Sequence, residues 1–147
     1  MATRSKIGMV NADGTVTGIY CHWDGYVSHN GKILNESYTD RQKVEALMAL
    51  GDLSSLDHEL GEKHDFDNRS TYEGQCNAYG RDRGENGCEA KKFLSIEGFV
   101  KSADDCGGQY VYIFDQENKW KMVDVYSSPK ILRDVEHELK LIKESSF

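Results

Sequence analysis

Proline is almost absent from this sequence, and long apolar runs are missing altogether. Pro129 is the only proline in 147 residues, which argues against a linker or a low-complexity tail. No apolar run approaches the roughly 20 residues that a membrane-spanning helix needs. The first residues, Met1 to Ile7, also lack the apolar segment of a signal peptide. We therefore expect a cytosolic protein that does not associate with a membrane.

Basic clusters and common catalytic motifs are missing as well. The chain has 18 Lys and Arg residues against 25 Asp and Glu, a net charge of −7, and no basic stretch. Direct binding to nucleic acid is therefore not expected. Glycine-rich phosphate-binding motifs and the usual metalloprotease and serine-hydrolase motifs do not occur either. The sequence thus predicts no cofactor and no catalytic residues.

The cysteines and histidines do not form a recognisable metal site. No C-x-x-C pair occurs, and in the cytosol all cysteines are expected to be free thiols. His58 and His64 precede Cys76 and Cys88, but the spacings of these four residues match no structural zinc pattern. We therefore predict no bound metal.

Aromatic residues, by contrast, are plentiful. Eight Tyr, five Phe and two Trp are more than a disordered chain usually carries. The length is that of one ordinary domain. We predict a single domain over residues 1–147, with a long polar loop at about 57–92.

The first half of the sequence predicts a hairpin followed by helices. Strands are expected at Lys6–Val10 and Thr15–His22, joined by an Asn-Ala-Asp-Gly turn. Large apolar groups on both faces of the second strand indicate cover on both sides. A short helix is expected over Gly31–Tyr38. A longer one should follow, with Thr39 as its N-cap and Gly51 at its C-terminal end.

The second half predicts a further strand, a hairpin and a last helix. The strand is expected at Phe93–Val100, and the hairpin at Gln109–Asp115 and Lys119–Tyr126. The helix should begin at Ser128 and Pro129, followed by a regular apolar stripe. The expected fold class is α+β: a mostly antiparallel sheet built from two hairpins plus one strand, with two main helices packed on it.

The densest group of chemically useful residues is the segment Tyr20-Cys-His-Trp-Asp-Gly-Tyr26. If the strand persists, His22 and Asp24 point to one face and could share a ligand, while Trp23 points into the core. Tyr26 follows just beyond the glycine. The alternative is structural: aromatic core residues, an ordinary Asp-Gly turn and a histidine bonded to the backbone.

A second candidate group lies in the long polar loop. Tyr79, Arg81 and Arg83, together with Tyr72 and Arg69, could stack a base and hold a phosphate. The alternative is a solvated loop whose arginines pair with nearby carboxylates. The predicted ligand-binding residues are His22, Asp24, Tyr26, Tyr79, Arg81 and Arg83.

Several segments together resemble a widespread family of small proteins, many of them encoded by tailed bacteriophages. They are Thr3–Gly8, Tyr20–Tyr26, Gly31–Leu34 and Ser37–Tyr38, and the resemblance covers about the first 50 residues. Members often have proline after the tyrosine that matches Tyr26, where this chain has Val27. The resemblance implies a setting, the cytoplasm of an infected bacterium, rather than a mechanism.

The resemblance favours a phage accessory protein that counters host defence or redirects host machinery by non-catalytic binding. In one version the protein sequesters a nucleotide signal, and in the other it inhibits a host defence protein by binding it directly. A homo-oligomer would favour the nucleotide version, because subunits could then pool their cationic groups around an acidic nucleotide.

Two further hypotheses remain open from the sequence. One is a small metal-dependent hydrolase or nuclease that uses His22 and Asp24. The other is an interaction module with no role in defence, which the residues do not separate from an anti-defence protein.

Overall fold

The computed structural model describes residues 2–145. In this part of the chain, eight strands form one sheet and five α-helices accompany it. The strands are β1 Ser5–Val10, β2 Val16–Cys21, β3 Leu53–Ser55, β4 Asn77–Ala78, β5 Lys91–Phe93, β6 Tyr110–Phe114, β7 Trp120–Asp124 and β8 Arg133–Asp134. The helices are α1 Lys32–Ser37, α2 Arg41–Leu50, α3 Tyr79–Arg83, α4 Ile96–Asp105 and α5 Val135–Ser145.

The sheet is mixed and mostly antiparallel. Its strand order is β4-β3-β2-β1-β6-β7-β8. β5 lies off this path: it pairs with Val16–Gly18 of β2, whereas β3 pairs with β2 at Cys21. β1 and β2 form an antiparallel pair across the predicted turn, where Gly14 adopts a φ of +86°. The two parallel pairings join β1 to β6 and β2 to β3. β1 therefore connects strands from the two halves of the chain.

Both faces of the sheet are covered by separate apolar clusters. On one face, α1, α2 and α5 enclose a large cluster that includes Ile7, Ile19 and Leu34. On the other face, α4 places Phe99 over β1 and β2 in a smaller cluster. Gly8 and Gly18 lie beneath that ring, and a Cβ on Gly18 would lie 2.2 Å from it. The prediction that β2 is covered on both sides is confirmed.

The α+β class and the mostly antiparallel sheet are confirmed, but the predicted layout is not. The sheet has eight strands rather than two hairpins and one strand, and three helices have 10 or 11 residues. Gly51 caps the C-terminal end of α2 as expected, but the N-cap is Asp40 rather than Thr39. The Asp40 side chain accepts the Gln42 N–H at 3.2 Å, so the helix begins one residue later than predicted.

Two predicted elements of the second half are wrong. The expected strand Phe93–Val100 is the end of β5 followed by α4, because the Ser95 side chain caps that helix by accepting the Gly98 N–H at 3.0 Å. The last helix begins at Val135 rather than near Ser128. Residues 133–134 pair with β7 instead, which keeps them extended.

Residues 57–92 contain several short ordered elements. A 3₁₀ turn at Arg69–Thr71 is followed by β4 and α3, and a bridge pairs Glu59 with Gln75. No helix among the residues described is long and apolar enough to cross a membrane.

Candidate functional site

The segment that carries the candidate histidine and aspartate leaves the sheet in a sharp turn. β2 ends at Cys21, and Asp24 adopts a left-handed backbone with φ +56°. The turn is fixed at Gly25, whose N–H donates to Thr3 O at 2.8 Å and whose carbonyl accepts the Tyr112 hydroxyl at 2.6 Å. A Cβ at Gly25 would lie 2.8 Å from Thr3 O, so glycine permits this close approach.

Beneath the turn lies a fully buried amide. The Asn30 side-chain NH₂ donates to Trp23 O at 3.4 Å and also contacts Ser5 Oγ and Cys21 Sγ. Its Oδ1 faces His29 Nδ1 at 2.9 Å. Burial raises the pKa of the Cys21 thiol to about 12, so this sulfur stays protonated in the network. Asn30 thus links the carbonyl of Trp23 to the imidazole of His29.

The outer side of this turn forms one wall of a cleft of about 410 Å³. The turn around residues 69–75 and the end of β3 with the residues after it also line this cleft. We call this the Trp23 cleft. Its lining residues are Trp23, Asp24, His29, Ser54, Ser55, Leu56, Asp57, Arg69, Tyr72, Glu73, Gly74 and Gln75.

The Trp23 cleft is acidic. Asp24, Asp57 and Glu73 contribute carboxylates, whereas Arg69 contributes the one Lys or Arg side chain in the lining. Among the residues described, the side chains of Asp24, Glu73 and Arg69 form no hydrogen bond or ion pair. The unpaired charge facing the cleft is therefore net negative.

Trp23 is not the core residue that the sequence predicted. It is 45% exposed, and its ring meets His22 edge-on at a centroid distance of 4.7 Å. The buried tryptophan is Trp120, which is 4% exposed and donates from Nε1 to Tyr38 O at 2.8 Å. The prediction failed because the strand alternation stops at Cys21, before the turn sets the direction of Trp23.

His22 and Asp24 do not share a site. Asp24 lines the Trp23 cleft, but His22 does not, and its Nδ1 lies 2.7 Å from the Tyr20 hydroxyl. Burial, with a smaller contribution from Arg4, lowers the pKa of His22. Burial also raises the pKa of Tyr20 to about 12. Tyr26 lies next to the cleft, 39% exposed, with its ring 5.9 Å from that of His29.

The predicted arginines of the long polar loop form hydrogen bonds and ion pairs within the protein. Arg81 Nε donates to the buried Asp82 carboxylate at 2.9 Å. Its terminal nitrogens donate to the carbonyls of Leu60, Gly61 and Cys76 at 2.8–3.1 Å. Arg81 therefore ties neighbouring backbone segments together.

Arg83 and Tyr79 lie at the surface of the same segment. Arg83 pairs with Glu85 and lies over the rings of Phe66 and Tyr79, at 4.6 and 4.9 Å. Burial raises the pKa of Tyr79. Neither residue lines the Trp23 cleft, so the structure separates this group from Asp24.

The two histidines that precede Cys76 and Cys88 in the sequence have partners within the protein. His64 Nε2 lies 2.9 Å from Asn77 Oδ1, and Nδ1 lies 2.8 Å from Glu62 O. The His58 Nδ1 atom hydrogen-bonds to Ser37 Oγ. Across residues 2–145, no group of three or more His, Cys, Asp or Glu side chains is arranged to hold a metal ion.

The sequence did not identify His29, Asp57 and Glu73 as site residues. No local motif marks them. His29 lies in the turn that follows Asp24, whereas Asp57 and Glu73 come near Asp24 only through the pairings of β3 with β2 and β4 and the bridge between Glu59 and Gln75. The sequence identified Arg69 and Tyr72 as an arginine and an aromatic residue of the long polar loop, but it did not indicate that they line one cleft with Trp23.

No protein-family model, no curated protein and no solved structure matches this chain. The observations that bear on function are therefore the geometry of the Trp23 cleft and the resemblance noted in the sequence.

Proposed function

We propose that this protein acts without catalysis, by binding directly to a host protein through the Trp23 cleft and its rim. The observation that carries the proposal is the exposure of Trp23 on the wall of a preformed cleft. Tyr26 adds a second exposed aromatic ring nearby. Exposed tryptophan and tyrosine side chains are enriched among the residues that dominate protein–protein binding energy.

The charge of the cleft favours a protein partner over a nucleotide signal. A nucleotide brings phosphates, and the cleft opposes them with the carboxylates of Asp24, Asp57 and Glu73. Arg81 and Arg83, which were expected to hold the phosphate, instead bind Asp82 and Glu85. A host-protein inhibitor is thus the version of the binding hypothesis that agrees best with the site.

The hydrolase alternative has little geometric support. It needs an imidazole and a carboxylate acting on one substrate, yet His22 hydrogen-bonds with Tyr20 while Asp24 faces the cleft. The two groups therefore lack a shared substrate position.

The resemblance to proteins of tailed bacteriophages supports the biological setting of the proposal. The partner in that setting is a bacterial defence protein or a component of the host machinery, in the cytoplasm of the infected cell. Acidic proteins are attracted to basic surfaces of their partners, and the net charge of −7 is consistent with such a target.

A pull-down from host lysate tests the proposal when a matched control is included. Wild-type protein should recover a specific partner, and Trp23→Ala should lose it. Leu94→Ala is the control, because Leu94 is 91% exposed and follows β5, which pairs with the Val16 end of β2, away from Trp23. Recovery of the same partner by Trp23→Ala would contradict the proposal.

Native mass spectrometry of protein purified from infected cells tests the nucleotide version. Host-protein inhibition predicts a chain with no nucleotide-sized adduct. An adduct that disappears in Arg69→Gln would favour sequestration of a nucleotide and would count against a protein partner in the cleft.

A further inference from the structure

The Trp23 cleft offers mainly hydrogen-bond acceptors. Asp24 and Glu73 have carboxylates with no protein partner among residues 2–145, and Asp57 accepts a single backbone N–H, that of His58, at 2.8 Å. An ionised carboxylate accepts hydrogen bonds and donates none. A complementary ligand must therefore supply several donors, and preferably a positive charge.

His29 adds a further acceptor, because Asn30 fixes its tautomer. The amide of Asn30 cannot be turned round: its NH₂ donates to Trp23 O, and a carbonyl only accepts. Asn30 Oδ1 therefore faces His29 Nδ1, which must carry the proton in this 2.9 Å hydrogen bond. In neutral His29 the lone pair is then on Nε2, on an imidazole that lines the cleft.

Trp23 supplies an apolar surface with a negative face beside these acceptors. Cations are attracted to the face of an indole ring more strongly than to other aromatic side chains. A planar guanidinium group suits such a surface, because it stacks on the ring and presents five N–H donors around its edge. An ammonium group has only three donors and does not stack.

We propose that the Trp23 cleft receives an arginine side chain of the partner protein, stacked on Trp23 and hydrogen-bonded to the carboxylates of Asp24 and Glu73. This inference rests on the proposed function and specifies the partner residue that enters the cleft. Asp57 and His29 provide the remaining acceptors. Arg69 opposes the incoming cation, so it reduces affinity rather than providing it.

The test is a titration of the full-length, ¹⁵N-labelled protein with a capped Gly-Arg-Gly peptide, followed by NMR. The chain has two indole N–H groups, and that of Trp120 is buried and bonded to Tyr38 O, so it serves as an internal reference. A matched peptide with citrulline in place of arginine keeps the shape and removes the charge. We expect a saturable shift of the Trp23 signal, with binding about tenfold weaker for the citrulline peptide.

Three substitutions make the titration specific. Asp24→Asn should weaken arginine binding about tenfold, and it preserves the turn because asparagine tolerates a left-handed backbone. Arg69→Gln should strengthen binding about threefold by removing a like charge. Glu117→Gln removes one exposed carboxylate from the β6–β7 turn, at the other end of the sheet, and should change nothing.

Any of three outcomes would overturn the inference. They are equal binding of the arginine and citrulline peptides, an unchanged chemical shift of the Trp23 indole N–H, and weaker arginine binding by Arg69→Gln. An equal response to spermidine would show that the cleft takes any cation, and would overturn the assignment to arginine. If the peptide fails to bind while Trp23→Ala still loses the host partner, only this inference falls. If the peptide binds but Trp23→Ala retains every partner, the proposed function falls instead.

Discussion

Replacing Trp23 with alanine should leave the fold nearly intact, whereas replacing Trp120 with phenylalanine should destabilise it. Trp23 is 45% exposed, and its closest ring contact is the edge-on pair with His22. Its loss should cost about 1 kcal/mol or less. Trp120→Phe removes buried volume and leaves the carbonyl of Tyr38 without its 2.8 Å donor. That change should cost about 2–4 kcal/mol.

Urea unfolding followed by far-ultraviolet circular dichroism measures the difference. Fluorescence is unsuitable, because each variant removes one of the two tryptophans. A gap of about 2 kcal/mol between the variants corresponds to a difference of about 1 M in the urea midpoint. If Trp23→Ala proves as destabilising as Trp120→Phe, Trp23 is a core residue. Its loss of partner binding would then not be evidence for a binding surface.

Three further predictions concern the sheet, the polar segment and the turn. Gly18→Ala should destabilise the fold by about 2 kcal/mol or more, because its Cβ would lie 2.2 Å from the Phe99 ring. The double variant Gly18→Ala/Phe99→Leu should recover part of that loss. If the urea-midpoint shifts of the two single variants simply add in the double variant, the contact is contradicted. Arg81→Ala should cost about 3 kcal/mol in urea unfolding, because the buried Asp82 carboxylate loses its guanidinium partner and keeps only His64 and the Ala78 N–H beside it. Arg83→Ala, an exposed control, should cost about 1 kcal/mol or less, and equal costs would refute the structural role of Arg81. In an NMR titration, His22 should have a pKa below 6.5, because burial lowers it. Folding stability should therefore fall as the pH drops from 6.5 through that pKa. A pKa at or above 6.5 would refute the prediction.

The strand and helix patterns with strong local signals were predictable. The alternation in β2 correctly indicated apolar cover on both faces, since Val16 packs under α4 and Ile19 packs under the other helices. α2 was also identified, but Thr39 and Asp40 are both good N-cap residues. Only the backbone geometry distinguishes them, so the start of that helix was misplaced by one residue.

The errors arise where two local signals compete. The Phe93–Val100 segment is rich in residues that favour strands, yet Ser95 caps a helix whose apolar positions recur at helical spacing through Phe99 to Ala103. The prediction of the candidate site was wrong for a different reason. His22 and Asp24 were expected on one face, but β2 ends at Cys21 and the chain turns with Asp24 in a left-handed backbone. A residue of that kind has a weak sequence signal unless it is glycine.

The Trp23 cleft itself could not be derived from the sequence. Its walls come from segments that are far apart along the chain, and short pairings such as Leu53 with Ala78 bring them together. Strands of two or three residues have no periodicity to detect. The aromatic segment Tyr20–Tyr26 was recognised from the sequence, but the residues that line the cleft with it are apparent only in the folded chain.

The parallel pairing of β1 with β6 has a consequence for how the protein is made. Ser5 pairs with Tyr110, and Tyr112 on the same strand holds Gly25 in the turn beside Trp23. A ribosome must therefore release most of the chain before the first strand gains this neighbour. A nascent or truncated chain that ends before residue 110 would carry the aromatic segment but not the hydrogen bond that shapes it. The turn beside Trp23 should thus take its final shape only late in synthesis.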